Sequence, residues 1–157
     1  MFRRKRMIWV VCTANVCRSP MVHVVLKQKL EAEGLGKSVE VRSAGVAAMA
    51  NLPASPDGVA LMAERGLDLS MHRAASLSMA DIRRADLILV MEEAHRRQIF
   101  HRAPEQIGKV LLFSELVDEH ADLDDPYGLG RAAYETTLAR IDDVLARGWE
   151  RLLGYIR

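Results

Sequence analysis

VVCTANVCRSP, residues 10–20, contains both cysteines of the chain, followed by an arginine, a serine and a proline. The residues before it, Met7–Val11, form a short, β-branched apolar run that reads as a buried strand. Pro20 suits the first turn of a helix. After it, MVHVVLKQKLEAEG (21–34) sets Met21, Val24, Val25 and Leu30 on one face and stops at Gly34. The stretch is therefore the passage from a strand to a helix. The same alternation continues. SVEVRSAG (38–45) predicts a second strand with Val39 and Val41 inward. SPDGVALMAERG (55–66) predicts a helix with Ser55 as cap and Pro56 at its first position. ADLILVM (85–91) predicts a strand buried on both faces, EEAHRRQIFHRA (92–103) a helix stopped by Pro104, and KVLLF (109–113) a fourth strand. Residues 114–130 predict a long loop, and 131–153 a final helix with Ala133, Leu138, Ile141, Leu145, Trp149 and Leu152 as its apolar stripe. Strands alternating with helices predict an α/β fold: a four-stranded parallel sheet with helices on both faces and a phosphate-binding loop after the first strand.

The 157 residues suit one domain, 1–157, with no repeat or linker. Half the residues are apolar and 27% are charged, the profile of a soluble globular protein. A formal net charge of +1 gives no global field toward nucleic acid. The one basic run, Arg3 to Arg6, reads as a solvated N-terminal tail over residues 1–6; contact with a membrane-bound partner or anionic lipid is the alternative. Arg3–Arg6 followed by MIWVVCTA superficially resembles a signal peptide, but the apolar part is short and cutting there would remove the best strand. No stretch reaches membrane-spanning length, so no stable membrane insertion is expected. Two cysteines close in sequence make no disulfide framework, and a reducing cytoplasm is the expected location.

The loop carries the chemistry. Main-chain amides from Thr13 to Arg18 can form an anion-binding concavity, and the following helix adds its partial positive charge. Arg18 adds a planar cation able to grip two phosphate oxygens. A cysteine at the floor of that cradle, Cys12, is favoured as thiolate, the nucleophilic form. Taken alone, Cys12 also reads as an inert buried thiol. C-x4-C is neither a thioredoxin nor a zinc spacing, so neither metal nor cofactor is expected.

VCTANVCRSP resembles the N-terminal pattern V-C-x-G-N-x-C-R-S-P of the low-molecular-weight protein-tyrosine phosphatases. VRSAG (41–45), HRA (72–74), ADLILVM (85–91) and DPYG (125–128) follow in that family's order and spacing. MEEAH (91–95) and APEQIGKVLLF (103–113) look most like its bacterial branch serving capsule and exopolysaccharide systems. The resemblance implies two chemical steps: Cys12 takes the phosphoryl group, and water then releases it. Arg18 and the amides of Thr13, Ala14, Asn15, Val16 and Cys17 hold the phosphoryl oxygens. Asp125, directly before Pro126, is the implied general acid, with Asp124 a solvated neighbour. Ser19 is the implied hydrogen-bond partner of the Cys12 sulfur. Asn15, Ser43 and His72 are the implied supporting network, with Asn15 holding the loop in a strained shape. Tyr127 and Met49 are the implied cleft walls, and Gly128 leaves the Tyr127 side open. Cys17 is the implied partner of Cys12 in a reversible disulfide, or else a passive residue. The implied substrate is a phosphotyrosine protein, with a membrane tyrosine autokinase as partner and a monomer or weak dimer as the working unit.

Ala14 departs from the pattern, which usually has Gly. At positive φ it would cost roughly 1 kcal/mol; in the right-handed region it is harmless. Three other functions compete. Thioredoxin-linked arsenate reduction needs cysteines after Cys17, and there are none. Phosphoarginine phosphatases of this family carry Thr where this chain has Val16, and an apolar wall suits an aromatic substrate better. A phosphate-binding module without turnover would not need Cys12, Arg18 and Asp125 together.

Overall fold

The fold is taken from a computed structural model that describes residues 4–157. Arg3 of the basic run lies outside the described residues. Four strands, β1 (Arg6–Cys12), β2 (Val39–Gly45), β3 (Leu87–Val90) and β4 (Val110–Leu112), form one sheet in the order β2-β1-β3-β4. All three pairings are parallel. β1 is central, and its alternation serves two cores. Ile8, Val10 and Cys12 face one layer, while Trp9 and Val11 face the other. Helices α1 (Arg18–Ala32), α2 (Pro56–Ala63), α5 (Arg131–Arg147) and α6 (Trp149–Ile156) contribute Leu26, Met62, Ile141 and Leu152 to the first layer. α3 (Met79–Arg84) and α4 (Glu93–Arg102) contribute Ile82 and Ile99 to the second. Helices on both faces are thus as expected.

The differences from the sequence reading are local. The final helix is two, because Gly148 brings the backbone against Leu116. A Cβ there would lie 2.7 Å from Leu116 Cβ and 2.8 Å from its carbonyl oxygen. The apolar stripe continues through the break, so periodicity alone did not reveal it. α3 was missed because it is only six residues long, although Ser78 and Asp81 cap it reciprocally. The expected loop 114–130 opens with a 3-10 helix at Phe113–Val117, and a second spans Pro104–Lys109. Ser55 precedes α2 but its side chain makes no cap. The basic tail is shorter than expected. Arg6 belongs to β1, and Arg4 sits 2.7 Å from Asp86.

The order β2-β1-β3-β4 sends the chain from β1 to one side and later back to the other. Loops after β1 and β3 therefore diverge and leave a crevice at their carboxyl ends, where ligands bind in open α/β sheets. Cys12 is the last residue of β1.

Candidate active site

Between Cys12 and α1 the chain turns sharply at Asn15, whose φ of 60° lies in the left-handed region. Four hydrogen bonds hold it there. Asn15 Nδ2 donates to Ser19 Oγ at 2.8 Å and to Ser43 Oγ at 3.0 Å. Its Oδ1 accepts from the Ala75 amide at 3.0 Å, and its carbonyl oxygen accepts from His72 Nε2 at 2.7 Å. Burial lowers the His72 pKa. The structure therefore brings Asn15, Ser19, Ser43 and His72 into one hydrogen-bonded network. Ala14 is absent from the positive-φ residues, so it carries no left-handed strain. The close approach falls instead on Gly45 of β2, where a Cβ would sit 2.5 Å from the Thr13 carbonyl oxygen.

The Cys12 side chain is buried. Its sulfur lies 3.0 Å from Ser19 Oγ and accepts from the Asn15 amide at 3.3 Å. Because Asn15 already donates to Ser19 Oγ, the serine proton is free to point at the sulfur. Among the described residues, the amides of Thr13, Ala14, Val16 and Cys17 have no protein acceptor. Cys17, just before α1, makes no side-chain cap. These orphan donors and the helix N-terminus surround the sulfur with anion-binding capacity.

Arg18 and Ser19 lie in the first turn of α1, which starts two residues before Pro20, where the sequence placed it. Arg18 is 2% exposed, and its burial needs compensation. Nη1 supplies it, 2.6 Å from Glu92 Oε2 and donating to the Leu123 carbonyl at 2.8 Å. Nη2 is 3.7 Å from Asp125 Oδ2. One edge of the guanidinium is thus anchored, while Nε and Nη2 make no hydrogen bond to protein among the described residues. Glu92, Leu123 and His95 were not singled out as site residues, although MEEAH contains two of them. Their signal was the strand end: β3 finishes at Val90, so residues 92–95 share the crevice with Cys12.

His95 is buried and lies 2.8 Å from Thr13 Oγ1. Its Nδ1 accepts from the Glu92 amide at 3.1 Å, so the ring proton resides on Nε2 and is donated to Thr13. Burial brings its pKa down to about 4. A neutral ring thus ties the start of the loop to α4.

Cys17 points behind the loop, 3.3 Å from Tyr134 Oη, and both cysteines are free thiols. Burial raises its pKa. The front of the loop opens into a cavity of about 470 Å³. Cys12, Thr13, Ala14, Val16, Cys17 and Arg18 form its floor, with Met49, Asp125 and Tyr127 among its walls. Leu52, Pro53 and Ala54 form a further apolar wall that sequence reasoning missed. Met49 and Tyr127 are well exposed at the mouth. No group of residues suited to a metal ion occurs among the described residues.

Residues 7–153 match the family described as low molecular weight phosphotyrosine protein phosphatase. The chain is 44% identical over 134 residues to a probable low molecular weight protein-tyrosine-phosphatase, EpsP, of Ralstonia solanacearum, covering 85% of this chain and 87% of that one. It is 37% identical over 147 residues to the low molecular weight protein-tyrosine-phosphatase Etp of Escherichia coli K12, covering 94% of each. A crystal structure of a YwlE mutant from Bacillus subtilis superposes with a TM-score of 0.87 at 34% identity, covering 96% of this chain and 99% of that one. A match across nearly the whole chain, on a loop that gathers a cysteine, an arginine and unpaired amides, places this protein in the low molecular weight protein-tyrosine phosphatase family.

Proposed function

We propose that the chain hydrolyses phosphotyrosine in proteins through a phosphocysteine at Cys12. The observation that carries this reading is the pairing at the cavity floor. A buried sulfur receives two hydrogen-bond donors, beside an arginine anchored on one edge only.

The Cys12 thiolate attacks phosphorus from the floor, and the bond from phosphorus to the tyrosyl oxygen breaks. Nε and Nη2 of Arg18, with the free loop amides, hold the equatorial oxygens as negative charge redistributes over them. The leaving oxygen takes a proton from the carboxylic acid of Asp125, which lines the cavity wall. The resulting Asp125 carboxylate removes a proton from water. The water oxygen attacks phosphorus, the S–P bond breaks, and inorganic phosphate leaves with the Cys12 thiolate restored. Ser19 and the Asn15 amide stabilise the sulfur anion in both steps. Met49, Leu52 and Tyr127 contact the substrate ring.

A tyrosine kinase of polysaccharide export, phosphorylated on a tyrosine-rich tail, is the partner this reading favours; the similarity to EpsP and Etp supports it. A second reading, phosphoarginine hydrolysis, is favoured by similarity to the structure of a YwlE arginine phosphatase. Val16 on the cavity floor supports the aromatic substrate instead. Turnover of phosphotyrosine, phosphoserine and phosphoarginine peptides by the same preparation, with chelator present, separates them. Preference for phosphotyrosine of at least about tenfold, a difference of 1.4 kcal/mol, is expected. Preference for phosphoarginine would move the chain to the second reading.

A further inference from the structure

The basic run has no part in the chemistry above. It lies at the opposite end of the sheet. β1 has seven residues, at about 3.3 Å each, so Arg6 and Cys12 stand about 20 Å apart. Around Arg6 the surface forms a basin of about 710 Å³. Its wall carries five cationic side chains, Arg4, Lys5, Arg6, Lys37 and Arg157, against one acidic side chain, Glu33. Leu35, Val39 and Leu153 give it an apolar floor.

These cations are only partly neutralised. Arg4 and Arg6 share one carboxylate, Asp86, at 2.7 and 3.6 Å. Arg157 lies 3.6 Å from Glu150. Lys5 and Lys37 are exposed and make no ion pair or hydrogen bond among the described residues. At the far end of the molecule Glu92, Glu93, Glu115, Asp122 and Asp125 gather where β3 and β4 finish, with Arg18 and Arg96 paired among them.

We infer that this basin docks on an anionic phospholipid surface, holding the catalytic cavity on the side away from the membrane. Two observations favour lipid over other anions. Lysines without partners offer their charge at little desolvation cost and suit a mobile headgroup layer. The apolar floor suits the glycerol and first acyl carbons beneath a phosphodiester. None of the basin residues lines the catalytic cavity, so docking is independent of which phosphoryl substrate the cavity takes.

The test is co-sedimentation of the full chain with phosphatidylglycerol–phosphatidylcholine vesicles and with pure phosphatidylcholine vesicles. Binding to the anionic vesicles alone is expected, with release at about 1 M salt, where the Debye length is about 3 Å. The double variant Lys5→Glu, Lys37→Glu should bind about tenfold or more weakly, since each basic residue near such a surface is worth about fivefold. Its aryl phosphatase turnover should be unchanged. Arg73→Glu, Arg97→Glu changes the net charge equally away from the basin and should keep most of the vesicle binding. Equal binding to neutral vesicles, no binding to either, or equal loss in both double variants overturns the inference. Tighter retention on soluble polyglutamate than on anionic vesicles also overturns it, and assigns the basin to an acidic protein.

Discussion

The two ends of β1 handle charge in opposite ways. At the carboxyl end a single buried cation, Arg18, is enclosed by carboxylates, and the anion-binding capacity comes from amides and one guanidinium edge. At the amino end several cations stand exposed, and Asp86 is the one carboxylate that Arg4 and Arg6 share. The first arrangement is short-ranged and geometric. A phosphate must enter the cavity to feel it. The second is long-ranged and tolerant of shape. Substitutions at the catalytic end should therefore act on rate, while those at the basic end should leave rate alone.

Cys12→Ser should bring the largest loss, on the order of 10⁴-fold or more in kcat, since a serine hydroxyl has no base beside it to activate it. Steady-state turnover of an aryl phosphate measures this, and residual activity within about tenfold of wild type would remove Cys12 from its role. Asp125→Ala comes next. It should cost about 10²- to 10³-fold on phosphotyrosine and under about tenfold on an ester whose leaving group departs unprotonated. Equal losses on both substrates would take the acid role from Asp125.

Glu92→Gln is a finer probe. It keeps the shape beside Arg18 Nη1 but removes the charge that compensates a buried guanidinium. A fall in kcat of about tenfold is expected through mispositioning, and Glu92→Asp should restore part of it if the carboxylate matters. Loss of stability with kcat intact would make Glu92 merely structural.

The smallest effect is on stability. Burial holds both His95 and His23 near pKa 4, against 6.5 for an unperturbed imidazole. Between those values the unfolded chain binds more protons, so stability falls as pH drops from about 6.5 to 4. The Tm should fall by about 5 °C or more over that window. His95→Asn should flatten part of the decline, and an unchanged slope would show that His95 does not contribute.

Much of the site was legible because it is local. Cys12, Asn15, Arg18 and Ser19 lie within eight positions, and a strand running into a helix admits few loop shapes. DPYG (125–128) was found by the family resemblance, since a turn after an acid does not by itself say that the acid reaches the loop. Glu92, His95 and Leu123 were not found, because nothing in their neighbourhood links them to a loop 70 or more positions earlier. Only the pairing of β3 against β1 puts them beside Arg18. Gly45 reads as a strand end in the sequence, whereas its contact with the Thr13 backbone depends on β2 lying on the other side of β1.

From the sequence alone came the alternation of strands and helices, the loop motif and the proposed nucleophile, because each follows from hydrophobic period, turn chemistry and residue type within a few neighbours. The tertiary structure decided which edge of Arg18 stays free, that Ala14 avoids the left-handed region, that the last helix breaks at Gly148, and that five cationic side chains gather around one basin. Those features arise from contacts between residues far apart in the chain, and contacts of that range exist only once the sheet has assembled.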